Sequence, residues 1–257
     1  MTPPSEDAYR LAIFDHVTDF EELTEAFVST LRIHPTDARV WARQTPGVLK
    51  ENLHLADCER VIAALAERKI RSGRIKATEV PVLRHSVMIH RASCEPDGLH
   101  IIEAHGDPLT CIPWEQINVV CVGCVPLEKA AHYPSGDWTA VSAGRHYQRP
   151  EIATNTPLGI EVYLVCDAPY PSFRLDHAKM NYHYLGDRLV ESATANFGLF
   201  IRDVIGYARR AFLPESTHAF LEHQHTDKCQ FRDHEAFLSY ATLQAVAAKL
   251  SQSSHPD

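Results

Sequence analysis

Several side chains that can bind a transition metal lie close together near the C-terminal end of the sequence. Zinc binds imidazole nitrogen and thiolate sulfur, so segment 216–234 is a candidate metal site that would suit a metal-dependent hydrolase. However, the spacing matches no standard zinc finger, and on a helix two of the histidines would point about 200° apart. We therefore favour a solvated polar loop between two helices. The candidate ligands are His218, His223, His225, Cys229 and His234.

Cys121 and Cys124 have the Cys-x-x-Cys spacing that redox and zinc proteins use. In redox proteins such a pair begins a helix, where the helix dipole lowers a thiol pKa. Here the pair lies in an apolar run typical of a strand, and side chains three residues apart on a strand point to opposite faces. No second Cys-x-x-Cys is present to complete a zinc ribbon. We predict two buried structural thiols.

Residues 159–212 contain the strongest structural pattern in the chain. Apolar residues alternate along 160–166, which predicts a strand, and recur every three or four residues along 189–212, which predicts a long helix. The polar and aromatic segment 181–186 lies between them. Asn181, His183 and Asp187 are candidates for a polar binding pocket. The alternative, which we favour, is that the tyrosines of this segment pack the helix on the sheet.

Composition limits the classes of function. The chain has 257 residues, of which 45% are hydrophobic and 23% charged, and its net charge of −8 disfavours nucleic acid as a partner. It contains no apolar run long enough to cross a bilayer and no secretion signal at its N-terminus. The seven cysteines lie mostly inside apolar runs, which predicts reduced, buried thiols in a cytoplasmic protein.

The common catalytic motifs are missing from the sequence. It contains no Gly-rich phosphate loop, no Gly-x-Ser-x-Gly and no His-Glu-x-x-His. Ser, His and Asp are plentiful, but their spacing identifies no triad, since a triad is defined by geometry. We therefore predict a protein that is not an enzyme and that uses no cofactor.

The first third of the chain has a clear order of elements. Apolar residues with helical spacing alternate with short extended runs, and Pro46-Gly47 separates the second helix from a strand. Thr18 and Glu21 have the spacing of a capping box at the start of the first helix. The predicted strands are 9–17, 48–49 and 74–80, and the predicted helices are 20–31, 35–43 and 55–69.

This order, with the segment Trp41-Ala-Arg-Gln-Thr-Pro-Gly-Val-Leu-Lys50, resembles the C-terminal domain of the bacterial ribosomal stalk protein and the related ClpS-type adaptor fold. The resemblance covers residues 9–80. In ClpS-type adaptors an acidic loop after the first strand helps to grip the first residue of a degradation substrate. The matching loop here contains Asp15, His16 and Asp19, although it lacks the Asn-Asp run of that family. The resemblance therefore implies that these three residues contribute to binding.

The rest of the chain is predicted to be mainly antiparallel sheet. We expect a strand at 86–93, a turn at 96–98, a hairpin of 99–103 with 109–112, and a strand at 118–125. The hairpin and the Pro113-Trp-x-x-Ile117 run resemble pleckstrin-homology-like and GRAM-like domains, which implies that helix 189–212 closes a barrel. The pattern also resembles uncharacterised proteins of planctomycetes and related bacteria, which implies no activity.

Together these patterns predict an α+β protein with two domains. We expect a β-α-α-β-α-β domain at 9–82 and an antiparallel sheet domain capped by C-terminal helices at 83–250, with disordered ends at 1–8 and 251–257. The predicted function is a non-catalytic protein-binding or scaffold module, with a protein or peptide as its partner, and a homo-oligomer is left open. The alternative is the metal-dependent hydrolase of segment 216–234.

Overall fold

The computed structural model describes residues 8–17, 19–102, 110–127, 157–222 and 228–253. Its helices and sheets confirm the α+β class. In chain order the elements are β1 (Tyr9–Ile13), α1 (Phe20–Leu31), α2 (Pro35–Ala42), β2 (Gly47–Val48), α3 (Leu55–Glu67), β3 (Ser72–Lys76), β4 (Val87–Ile89), β5 (Ala92–Glu95), β6 (Gly98–Ile101), β7 (Thr110–Ile112), β8 (Ile117–Pro126), β9 (Leu158–Cys166), β10 (Phe173–Asp176), α4 (Ala193–Tyr207), α5 (Glu215–Leu221) and α6 (His234–Ser253).

The first sheet has the strand order β2-β1-β3, and both of its strand pairs are antiparallel. Helices α1, α2 and α3 share an apolar core with β1, in which Leu11, Phe27 and Leu65 are fully buried. The predicted order of strand, helix, helix, strand, helix and strand is therefore confirmed. The first strand ends at Ile13 and not at residue 17, while β3 ends at Lys76 and a 3₁₀ helix follows it.

The second sheet has the order β4-β10-β9-β8. Strand β8 pairs with β9 along nearly its whole length, β9 pairs with β10 antiparallel, and β10 pairs with β4 in parallel. Strands β8 and β9 are buried along almost their whole length because both faces of the sheet are covered. Helices α4 and α5 share the core on one face, and α6 covers the other.

A third sheet, of order β5-β6-β7, consists of antiparallel hairpins. The predicted turn at 96–98 and the hairpin that pairs β6 with β7 are confirmed. The single strand predicted at 86–93 is wrong, because β4 and β5 belong to different sheets. The chain passes from one sheet to the other between Ile89 and Ala92, and both of these residues are buried in the same core.

Helix α6 packs on two sheets. One side, including Phe237 and Ala241, packs on β8 and β9, while Leu243 and Val246 share a cluster with residues of the first sheet. A Cβ atom at Gly123 would lie 2.5 Å from the buried ring of Phe237, so this glycine permits the close approach of β8 to α6. Helix α6 thus connects the two regions that the sequence analysis assigns to separate domains.

Several predicted boundaries need correction. The helix predicted at 189–212 comprises only α4, and a 3₁₀ helix (His183–Arg188) precedes it. The loop predicted at 216–234 contains α5, whose residues Ser216 and Thr217 are buried. Residue 8 is buried and α6 extends to residue 253, within the terminal ranges for which the sequence predicts disorder. The disorder predicted at 1–7 and 254–257 and most of the predicted loop at 127–158 lie outside the described residues.

No helix in the described ranges has both the length and the apolar character needed to cross a membrane.

Candidate functional site

A cleft of about 460 Å³ lies between the start of α1 and the outer side of α2. Helices α1 and α2 also contact each other through the edge-to-face packing of Phe27 on Trp41, whose ring centroids lie 5.9 Å apart. One aromatic side chain and four charged side chains form the lining. They are Asp19, Phe20, Glu21, Arg39 and Arg43.

Asp19 fixes the α1 side of the cleft. It is the N-cap of α1, and its Oδ1 atom accepts hydrogen bonds from the backbone N–H groups of Glu21 at 3.0 Å and Glu22 at 3.4 Å. This cap holds Phe20 as the first residue of the helix, where 40% of its surface remains exposed. Thr18, the predicted capping residue, lies outside the described residues.

Helix α2 supplies the positive charges. Arg39 and Arg43 are four residues apart and therefore lie on one side of the helical turn. The Nη2 atom of Arg39 is 3.4 Å from Oε2 of Glu21, but these side chains are 57% and 66% exposed, so the pair contributes little to stability. Within the described parts of the chain, no carboxylate lies within ion-pairing distance of Arg43. Its exposed guanidinium is available to an acidic group of a partner.

Asp15 has a structural role next to this site. Its Oδ2 atom accepts the backbone N–H of Arg71 at 2.6 Å, and its Oδ1 atom accepts Nε of the same arginine at 2.8 Å. The hydrogen bond from the guanidinium lowers the pKa of Asp15 below its ordinary range. Asp15 thus joins the end of β1 to the start of β3, and His16 beside it is exposed. Of the three predicted loop residues, Asp19 alone lines the cleft.

The second predicted group forms no shared pocket among the described residues. It consists of Asn181, His183 and Asp187. The Oδ1 atom of Asn181 accepts the backbone N–H of His183 at 2.9 Å, and the side chains of His183 and Asp187 are exposed. The neighbouring tyrosines pack as predicted. Tyr182 is buried and donates its hydroxyl proton to the backbone oxygen of a nearby histidine, while Tyr184 packs edge-to-face on Phe200 of α4.

Tyr184 also belongs to a polar network on α4. Its hydroxyl donates to Asp203, and Arg188 donates to the same carboxylate at 2.7 and 3.0 Å. Burial raises the pKa of Tyr184, and the hydrogen bond to Asp203 adds to this effect. Burial opposes ionisation of Asp203, but the hydrogen bonds from Arg188 and Tyr184 lower its pKa overall. The network fixes the 3₁₀ helix to α4.

The candidate ligands of segment 216–234 have separate environments where they are described. His218 is exposed on α5, whereas Cys229 is fully buried and its backbone oxygen accepts the N–H of Cys124 at 2.7 Å. His223 and His225 lie outside the described residues, so their part in a metal site stays a prediction.

His234 belongs to a buried ionic cluster that the sequence analysis missed. Its Nδ1 atom lies 2.8 Å from Oε2 of Glu161, and Arg174 donates to Oε1 of the same carboxylate at 2.6 Å. The hydroxyl oxygen of Tyr163 lies 3.4 Å from Nε2, the other ring nitrogen of His234. Glu161 is only 7% exposed, and its ion pair with Arg174 and its hydrogen bond with the imidazole of His234 offset the cost of burying the carboxylate. The cluster attaches the start of α6 to β9 and β10.

The two thiols of the Cys-x-x-Cys pair point to opposite faces, as predicted. Cys121 lies in the core beneath α6, and Cys124 lies in the core beneath α4 and α5. Burial raises the pKa of each thiol to about 12. Both are therefore protonated at neutral pH and unsuited to act together as a redox pair.

Among known proteins, no family model, no curated protein and no solved structure matches this chain. The resemblances to adaptor and pleckstrin-homology-like folds therefore stay predictions.

Proposed function

We propose that this protein is a non-catalytic protein-binding module and that its partner inserts a short peptide segment into the cleft between α1 and α2. The observation that carries the proposal is Phe20, an aromatic side chain that is 40% exposed between charged residues of both signs. A partly exposed aromatic ring in a cleft is typical of a binding hot spot, because it can bury a large apolar area at a small entropic cost.

The charges around Phe20 define the chemistry of the partner. Asp19 and Glu21 lie on the α1 side, so an acidic group would be repelled there. On the α2 side Arg39 is paired with Glu21, whereas Arg43 has no carboxylate partner in the described ranges. The best-matched segment carries an apolar side chain that packs on Phe20 and, next to it, an Asp or Glu that contacts Arg43.

A selection from a random peptide library would test the proposal. The wild-type protein and the double variant Phe20→Ser/Arg43→Glu are immobilised in parallel. Both substituted residues are exposed, so the variant is expected to fold, and circular dichroism checks this. We expect the wild type alone to enrich peptides that have an apolar residue beside an acidic one. Equal enrichment on both proteins, or enrichment of unrelated sequences, would refute the proposal.

A further inference from the structure

The outer end of the third sheet brings three different metal-binding side chains together. Asp97 lies in the turn between β5 and β6, His100 lies on β6, and Cys111 lies on β7. Their ligand atoms all lie within 4.8 Å of one another. The Nε2 atom of His100 is 2.9 Å from Oδ1 of Asp97, and Sγ of Cys111 is 4.0 Å from Oδ2 of Asp97.

The register of the sheet produces this arrangement. His100 and Cys111 are directly opposite each other in the pairing of β6 with β7. Directly opposite side chains project from the same face of a sheet, with Cβ atoms about 4.5–5.5 Å apart. The adjacent pair, Leu99 and Ile112, is fully buried on the other face, so the apolar core fixes the register that holds the ligands.

Gly98 allows the three groups to approach. A Cβ atom at this position would lie 2.7 Å from Sγ of Cys111 and 2.5 Å from the backbone oxygen of Ile112. Any other residue would therefore displace β7 or the thiol. The side chains of His100 and Asp97 are 20% and 69% exposed, so an ion can reach the group from solvent.

We propose that Asp97, His100 and Cys111 bind a Zn²⁺ ion and that, among the described residues, no fourth ligand closes the site, which leaves one coordination position open. Zinc accepts carboxylate oxygen, imidazole nitrogen and thiolate sulfur in a tetrahedral arrangement. Ligand atoms at ordinary zinc distances are about 3.3–3.6 Å apart in that geometry. The separation from Nε2 of His100 to Oδ1 of Asp97 is 2.9 Å, the separation from Sγ of Cys111 to Oδ2 is 4.0 Å, and no two ligand atoms are more than 4.8 Å apart, so side-chain rotations bring the three groups to zinc distances.

A bound zinc ion stabilises the thiolate form of a cysteine ligand and offsets the negative charges of a thiolate and a carboxylate. Three protein ligands with an open position are typical of zinc sites that bind water or a further ligand, whereas structural sites are closed by four protein ligands.

Cobalt(II) is a suitable probe, because a thiolate bound to Co²⁺ has a charge-transfer absorption band that a free thiol lacks. The chelator-treated protein is titrated with CoCl₂ and then with ZnCl₂. We expect one equivalent of Co²⁺ to produce the band and Zn²⁺ to remove it. Added imidazole should shift the visible spectrum by occupying the open position. A spectrum without the band overturns the site, and a spectrum unchanged by imidazole overturns the open position.

Matched variants locate the ion. Cys111→Ser should abolish the band and weaken Co²⁺ binding at least about 100-fold, since even second-shell changes cost roughly 10–100-fold. Cys166→Ser, which alters another half-buried thiol, should leave the band intact. Asp97→Asn changes an exposed side chain and gives a second test if Cys111→Ser does not fold. Binding that survives both Cys111→Ser and Asp97→Asn, or that is lost in Cys166→Ser, would contradict the assignment.

This inference is independent of the proposed peptide site. The ion lies on the third sheet and the cleft lies between α1 and α2, so either experiment can fail alone.

Discussion

Phe20→Ser should weaken peptide binding by an amount that follows from its exposure. A phenylalanine side chain has about 200 Å² of apolar surface that can be buried. Since 40% of Phe20 is exposed, a bound peptide can cover about 80 Å² of it. At about 25 cal/mol per Å² this burial contributes about 2 kcal/mol, which corresponds to a roughly 30-fold change in the dissociation constant.

Fluorescence anisotropy with a labelled peptide selected on the wild-type protein measures this change. Phe212 provides a matched control, because it is also an aromatic side chain and is 39% exposed. It lies after α4 and is not part of the cleft lining. We expect Phe20→Ser to bind about 30 times more weakly and Phe212→Ser to bind like the wild type. A change below about twofold in Phe20→Ser, or equal losses in both variants, would refute the reasoning.

Three further predictions concern the framework. Gly123→Ala should destabilise the protein by about 1–3 kcal/mol in urea unfolding, because its Cβ would contact a buried ring of α6 at 2.5 Å. Gly206→Ala should stabilise the protein by about 0.5–1 kcal/mol, because among the described residues its Cβ would meet no atom within 4 Å beyond its chain neighbours and its own helix backbone, and similar effects of the two changes would contradict the packing. Glu161→Gln should cost about 3 kcal/mol in the same assay, since it leaves the guanidinium of Arg174 without its carboxylate partner, and a loss below about 1 kcal/mol would show that the cluster is dispensable. Because the folded-state pKa of Asp15 is lowered, its pairing with Arg71 contributes stability above the ordinary carboxyl pKa and loses it as the pH falls through the lowered value. The stability difference between wild type and Arg71→Gln should therefore shrink on acidification, and a constant difference would count against this pair.

The first third of the fold could be predicted because its local signals agree. Helices α1 and α3 are amphipathic, Pro35 occupies the first turn of α2, and Pro46-Gly47 follows the end of α2, with β2 beginning at Gly47. Each signal acts within a few residues, so no knowledge of the tertiary structure is needed.

The passage of the chain between sheets could not be predicted in this way. Residues 86–93 have the composition of one strand, but Val87 pairs in parallel with Phe173, and Ala92 pairs with Ile101. Pairing with these distant strands is what assigns β4 and β5 to different sheets. Helix α5 was missed for a related reason, since its buried face includes Ser216 and Thr217 and is not marked by apolar residues alone. Thr217 instead bonds to the backbone of β8.

The two candidate sites also depend on contacts between residues that are distant in the sequence. Asp19 was predicted to bind a ligand, but its neighbours Arg39 and Arg43 come from α2, and only the packing of α2 on α1 brings them together. The four-residue spacing of the arginines was a visible signal, but it did not identify their partner helix. His100 and Cys111 are 11 positions apart, and their association depends on strand register, which a short hairpin sequence does not determine.

A charge exchange between protein and peptide tests whether Arg43 contacts the acidic residue of the partner. Wild type and Arg43→Glu are each measured against a selected peptide and against the same peptide with its acidic residue replaced by Lys. Because an exposed ion pair contributes about 0.2–1 kcal/mol, each protein should prefer its complementary peptide by up to about 5-fold. We expect wild type to prefer the acidic peptide and Arg43→Glu to prefer the lysine peptide. If both proteins prefer the same peptide, Arg43 does not contact the partner and the cleft is not the binding site.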